Sequence, residues 1–178
     1  MSRAALVVAL ANARADRRPP HAPRASFHDA LSDAESASVL LEPFLGRAVE
    51  KSELTAVRAL QAALVPVLDA LVDGAPPPLE ALNALAERAP AIHRLELEST
   101  GTLRALASPG RPSAAGTLVL EVLQELSELE PRRLRRCERP ECRLVFYDAT
   151  RSSTQRWHAD SPCGLRERQR RHRAKRSG

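Results

Sequence analysis

Four side chains near the C-terminal end of this chain have the types and spacing of a metal site: Cys137-x4-Cys142-x15-His158-x4-Cys163. They include every cysteine in the sequence. Thiolate sulfur and neutral imidazole nitrogen are soft or borderline donors, and this spacing suits one tetrahedral Zn²⁺. Four protein ligands would close the coordination sphere and leave no position for a reactive water, so the expected role is structural. Two other readings stay open. The thiols can be unrelated loop residues beside a surface histidine. If His158 is not a ligand, the sphere opens, and Glu138 or Glu141 is then placed to act as a base.

The elements that must position these donors can be read around them. Cys137-Glu-Arg-Pro-Glu-Cys142 is predicted as a turn that holds two thiolates, and Leu144 to Tyr147 as a strand. Ser161 is predicted to cap a helix with Pro162 at its first position, which puts Cys163 in the first turn, at the positive end of the helix dipole. A knuckle and a helix start that share one metal make a treble-clef-like arrangement. The tail holds too few apolar residues to bury a core alone, and zinc would supply the missing folding free energy. Phe146 and Trp157 either fill that small core or stack on bases.

A strongly basic stretch follows the last cysteine. Arg166, Arg170 and Arg173 recur at helical steps and share a face; Arg168, Arg171 and Lys175 share a neighbouring one, with Arg176 beyond. Arg132, Arg133, Arg135 and Arg136 lie on the other side of the cysteines. Such a surface suits phosphates, whose contacts give affinity without sequence information, while one arginine on a guanine edge would add specificity. The plainer alternative is a solvated C-terminal tail. The charge distribution favours a function for it. Residues 1–130 carry a net −5, residues 131–178 a net +10, and zinc with three thiolates would leave the tail at +9.

The body, residues 1–130, is rich in Leu, Ala and Val and poor in aromatics, a mixture that leans helical. Residues 4–13 fit a helix better than a strand, and 14–26 form a Pro/Arg-rich loop. Asp33 or Ser32 can cap a short helix that ends at Gly46, with Val39, Leu40, Phe44 and Leu45 on its buried side. Ser52 should open the longest helix, to about Val72, with Leu54, Val57, Leu60, Leu64, Leu68 and Leu71 as one stripe and a kink at Pro66. A helix of about 79–88 follows, with Leu79, Leu82 and Leu85 inward. Period-two alternation over 92–107 predicts a hairpin turning at Gly101. Ser113 should cap a helix from Ala114 to about Leu129 that buries Leu118, Val122, Leu126 and Leu129. The expected fold class is α+β: a mostly helical body with a small β-hairpin, then the zinc-finger tail. His21, His28 and His93 have no partners at telling spacing.

The segment from Arg136 to Lys175 resembles the CGNR zinc-finger family. The residues that carry the resemblance are the pair Cys137 and Cys142, the strand Leu144-Val-Phe-Tyr-Asp148, the loop Thr150-Arg-Ser-Ser-Thr, Arg156-Trp157, and Cys163-Gly164-Leu165-Arg166. His158 stands where the family usually has cysteine, and Leu165 replaces the asparagine. The body resembles, in the order of its elements, the stress-induced transcription regulator (ABATE-like) domain that usually precedes such fingers. The resemblance implies a bacterial DNA-binding regulator whose body senses a small-molecule effector or forms a homodimer. An RNA- or protein-binding module is the alternative, and a metal-dependent enzyme ranks below both.

No phosphate-binding glycine loop, nucleophile elbow or His-Glu-x-x-His pattern occurs, so no enzyme is expected. The opening apolar run, Ala4 to Leu10, is short and lacks a clear cleavage site, and no stretch is expected to span a membrane. The expectation is a cytoplasmic protein whose clustered cysteines serve as metal ligands.

Overall fold

The computed structural model describes residues 4–14, 29–89, 91–97, 103–109 and 113–176. The elements run α1 (Ala5–Asn12), α2 (Ala34–Leu45), α3 (Leu54–Asp73), α4 (Glu80–Arg88), β1 (Ala91–Leu97), β2 (Leu103–Pro109), α5 (Ala114–Glu128), β3 (Leu134–Arg136), β4 (Val145–Tyr147) and α6 (Leu165–Arg176). The molecule is mostly helical, with two separate antiparallel pairs: β1 with β2, in register from Ala91↔Pro109 to Leu97↔Leu103, and β3 with β4, in register from Leu134↔Tyr147 to Arg136↔Val145. The predicted turn at Gly101, most of the 14–26 loop, His21, His28 and the His93 side chain lie outside what is described.

Helix α3 is the centre of the body. Leu54, Val57, Leu60, Leu64 and Leu68 are buried along one stripe, as the three- and four-residue spacing requires. By length and composition α3 could cross a membrane, contrary to the sequence expectation; here its apolar face is packed inside the protein. Pro66 sits on its exposed side and the helix runs on to Asp73, where Gly74 turns left-handed (φ 69°) and closes it. Helix α1 lies against α3 and α5, burying Leu6, Val7 and Leu10. The start of α1 has no capping side chain of its own. Glu125 of α5 takes that place, accepting from Leu6 N at 3.0 Å and Val7 N at 2.8 Å.

Several local expectations change. Val39 is 77% exposed, and Ala37 and Leu41 are the buried positions of α2. Val39 is two residues from each, so at about 100° per residue it points to the opposite side. Asp33, rather than Ser32, caps α2, accepting from Ser36 N at 2.8 Å. Ser52 does not cap α3. The helix begins at Leu54, and Glu53 instead reaches across to α5, accepting from Ala114 N at 2.6 Å and pairing with Arg47. Leu79 is exposed and precedes α4, whose buried residue is Leu82. Ser113 caps α5 through Gly116 N, as expected.

Body and tail meet in one core. Leu134 and Val145 from the β3–β4 pair are buried together with α1, α3 and α5. The side chain of Asn12, the last residue of α1, joins them: its Nδ2 donates to the Val145 carbonyl at 2.7 Å, and its Oδ1 accepts from Val145 N at 3.0 Å. The amide thus pairs both backbone groups of a β4 residue, as a neighbouring strand would. Arg136 adds an ion pair with Asp69 at 3.0 Å on α3.

Candidate metal centre

The four predicted donors come together. Sulfur atoms of Cys137, Cys142 and Cys163 and a ring nitrogen of His158 all lie within 4.8 Å of one another. Cys142 Sγ is 3.4 Å from His158 Nδ1. Zinc bonds of about 2.3 Å to sulfur and 2.0–2.1 Å to nitrogen put tetrahedral donors roughly 3.5–3.8 Å apart, so the set fits one zinc ion. Cys137, Cys142 and Cys163 are buried, none in a disulfide, and His158 is half-buried. Leu144 and Trp157 pack against them as a second small core, distinct from that of the body.

Each donor has a local cause. Cys137 follows β3, and its N–H bonds the Leu144 carbonyl at 2.9 Å. The turn closes where Cys142 N donates to the Arg139 carbonyl at 2.9 Å. The backbone N–H of Glu138 donates to Arg156 O at 3.0 Å, which brings the chain just before His158 alongside Cys137. Cys163 departs from expectation. It sits in a wide helical turn, Asp160–Gly164, before α6 begins at Leu165; Ser161 is extended and caps nothing. Next to it, a Cβ on Gly164 would meet Asp160 Oδ1 at 3.0 Å, Arg168 Nη1 at 3.2 Å and the Trp157 ring at 3.2 Å. A larger residue there would have to push these side chains aside by a few tenths of an ångström.

The thiols are unequal. The hydrogen bond from Cys142 holds the Cys137 thiol well below its ordinary range. That same bond, with burial, pushes Cys142 up, and burial followed by repulsion from Cys137 pushes Cys163 up. Packed this closely, the thiols cannot all ionise by themselves; a bound dication would remove that repulsion. Zinc with three thiolates carries a net −1. Arg139, only 13% exposed in its side chain, interacts with the Cys163 thiol and bonds Glu141 at 2.8 Å, which places a cation beside the cluster. Sequence reasoning did not single out Arg139. Its signal was a lone arginine inside the C-x4-C knuckle.

Asp148 was also missed as an organiser. It is fully buried and accepts from Thr150 N at 3.0 Å and Gln155 N at 2.8 Å, and from the Thr150 hydroxyl. These bonds fold the 149–155 loop and hold the Asp148 carboxyl below its usual range against the cost of burial. The Asp-x-Thr spacing of an Asx turn was its trace in the sequence. Phe146 is buried and Trp157 half-buried, which matches a packing role.

The predicted cationic residues divide into two groups. Arg168 pairs with Asp160 at 2.7 Å, and Arg170 and Arg171 clasp Glu167, which is buried at the start of α6 and held down to about 2 by Arg170 first. Arg135 donates to the Ser153 carbonyl at 2.6 Å, and Arg136 turns to Asp69 and Asp73. Arg166, Lys175 and Arg176 are exposed and bond no described residue; Arg173 is also exposed. No curated protein matches this chain significantly. Residues 133–176, about a quarter of the chain and all four donors among them, match the CGNR zinc finger family, so the metal centre described above is that of a CGNR-type zinc finger.

Proposed function

We infer that this protein is a DNA-binding transcription regulator whose zinc finger grips the duplex and whose body serves as a sensor or dimerisation module. The observation that carries the reading is α6. Over its twelve residues it holds seven lysines and arginines and one acid, and only that acid, Glu167, is buried. A helix this short gains little from propensity and needs tertiary support. Here the support is the metal-centred turn Asp160–Gly164 at its base, so zinc presents a cationic rod whose other faces stay open. Arg166, Lys175 and Arg176 are ready to meet phosphates, while the arginines held by Glu167 and Asp160 keep a fixed direction. In this reading the finger is treble-clef-like, with the knuckle Cys137–Cys142 and the approach to α6 as its two arms. Zinc is structural, because three thiolates and an imidazole leave no coordination position for substrate or water. No catalytic role is assigned. Three cysteines kept as zinc ligands suit a reducing, cytoplasmic setting. The ABATE-like character of the body rests on the order of its elements.

The test is fluorescence anisotropy of zinc-loaded protein on duplex DNA from low to physiological salt. Log affinity should fall linearly with log salt, by about 0.9 per phosphate contact, and selection from random duplexes should enrich a defined sequence. Equal affinity for duplex DNA, single-stranded RNA and heparin, with no enriched sequence, would overturn the regulator and leave a general polyanion or RNA-binding module.

A further inference from the structure

Body and finger enclose a cleft of about 550 Å³ that shares no residue with the four metal donors or with α6. That volume lies in the range of small-ligand sites. Its floor is apolar: Leu71 and Val72 come from the last turn of α3 and Leu134 from β3. Its walls carry four guanidinium groups, from Arg132, Arg135, Arg136 and Arg156, and among the lining residues Glu138 is the single acid. The other carboxylates that hold these arginines, Glu130, Asp148, Asp69 and Asp73, are not part of the lining.

Those carboxylates leave donors unused. Arg132 spends Nε and Nη2 on Glu130, at 3.1 and 2.9 Å. Arg156 spends the same pair of nitrogens on Glu138, and Arg136 spends Nη2 on Asp69 and Asp73. Nη1 of all three bonds no described residue. A guanidinium anchored in this way is pre-oriented and keeps N–H groups for one more acceptor, and carboxylate and phosphate are the acceptors that best fit it.

We propose that this cleft is a binding site for a small organic anion, with a carboxylate or phosphate head against Arg132, Arg136 and Arg156 and an apolar body on Leu71, Val72 and Leu134. A nucleic-acid backbone fits it less well. It has no use for an apolar floor, and the surrounding acids roughly cancel the arginines, which removes the long-range attraction a polyanion exploits while leaving the short-range hydrogen bonds. The body supplies Leu71, Val72 and Gly74 and the finger side the rest of the lining, so an occupant would bridge α3 and β3. The proposal goes beyond the DNA-binding reading and does not depend on it.

The experiment uses the full-length zinc-loaded protein with phenyl phosphate and benzoate as probes, and inorganic phosphate and benzyl alcohol as controls. Calorimetry measures binding. Fluorescence of Trp157, the only tryptophan, reports the site, because the Arg156 guanidinium lies over its ring at 5.4 Å. Expected is saturable binding of at least one aromatic anion with Kd between about 10 μM and 1 mM, and at least about tenfold weaker binding of both controls. Val72→Glu should abolish binding with zinc content unchanged. Arg132→Gln, whose side chain is 80% exposed at the rim and so spares the fold, should weaken it several-fold, and so should Arg156→Gln. The proposal falls if neither aromatic anion binds up to about 10 mM, if inorganic phosphate binds as tightly as phenyl phosphate, or if Arg132→Gln and Arg156→Gln bind like the wild type. It also falls if duplex DNA displaces the probe and loses affinity in those variants, which would make the cleft part of a nucleic-acid surface.

Discussion

Arg139 shows how much of a metal centre lies outside its ligands. The zinc-thiolate cluster is anionic, and this nearly buried guanidinium is the cation beside it. Partners of this kind are worth about 10–100-fold in metal affinity when removed. Arg139→Gln should therefore weaken zinc binding by about tenfold in competition with a chelator while the protein stays folded at saturating zinc; unchanged competition would remove Arg139 from the site. Cys142→Ser should take the zinc content from one per chain to near zero, and with it the helical signal of residues 165–176. Stoichiometric zinc in that variant would be fatal to the ligand assignment. Gly164→Ala should also lower zinc retention, because the new methyl meets the Trp157 ring and the Asp160–Arg168 pair. The four donors were legible in the sequence because metal chemistry admits few residue types at few spacings. Arg139, Asp148 and Glu167 were not, since charged residues look alike in a sequence until the fold decides which ones are buried.

Among the elements, two long side chains do what no neighbour in sequence could. Glu53 sits before α3 but serves α5, accepting from Ala114 N, and it is held down to about 2 by Arg47 first. A carboxyl lowered from its ordinary 4.5 stabilises the fold above that value and loses the contribution as pH falls from there toward 2. Urea denaturation from pH 6 to pH 2.5 should show this loss in the wild type and a flatter profile in Glu53→Gln, which should be less stable at pH 6 by about 1–3 kcal/mol. Asn12 is the second case. Asn12→Ala leaves both backbone groups of Val145 unpaired and should cost about 1–3 kcal/mol, with faster exchange of the Val145 amide. Helix stripes such as Leu54–Leu68 could be read directly, because periodicity is local. The exposure of Val39, the start of α3 and the turn around Cys163 could not, because each is set by contacts with residues distant in sequence.

For the molecule as a whole, the uneven charge is the dominant fact. A body of net −5 carries a tail of net +10, and all five tail acids pair with tail arginines. The excess is left on α6 and the exposed loops. Replacing Arg166, Lys175 and Arg176 together with alanine should reduce the salt slope of DNA binding by up to about 2.7, at 0.9 per contact, without changing zinc content. An unchanged slope would move the nucleic-acid contact elsewhere or remove it.

The Asn12 amide and the shared burial of Leu134 and Val145 also bear on how the protein can be dissected. A fragment starting at residue 131 would keep every metal donor, yet one strand would lose its borrowed neighbour and two apolar side chains would face water. The finger then depends on the body, through α1 for its second strand and through α1, α3 and α5 for its apolar residues, so trimming the N-terminus should loosen a metal site more than a hundred residues downstream.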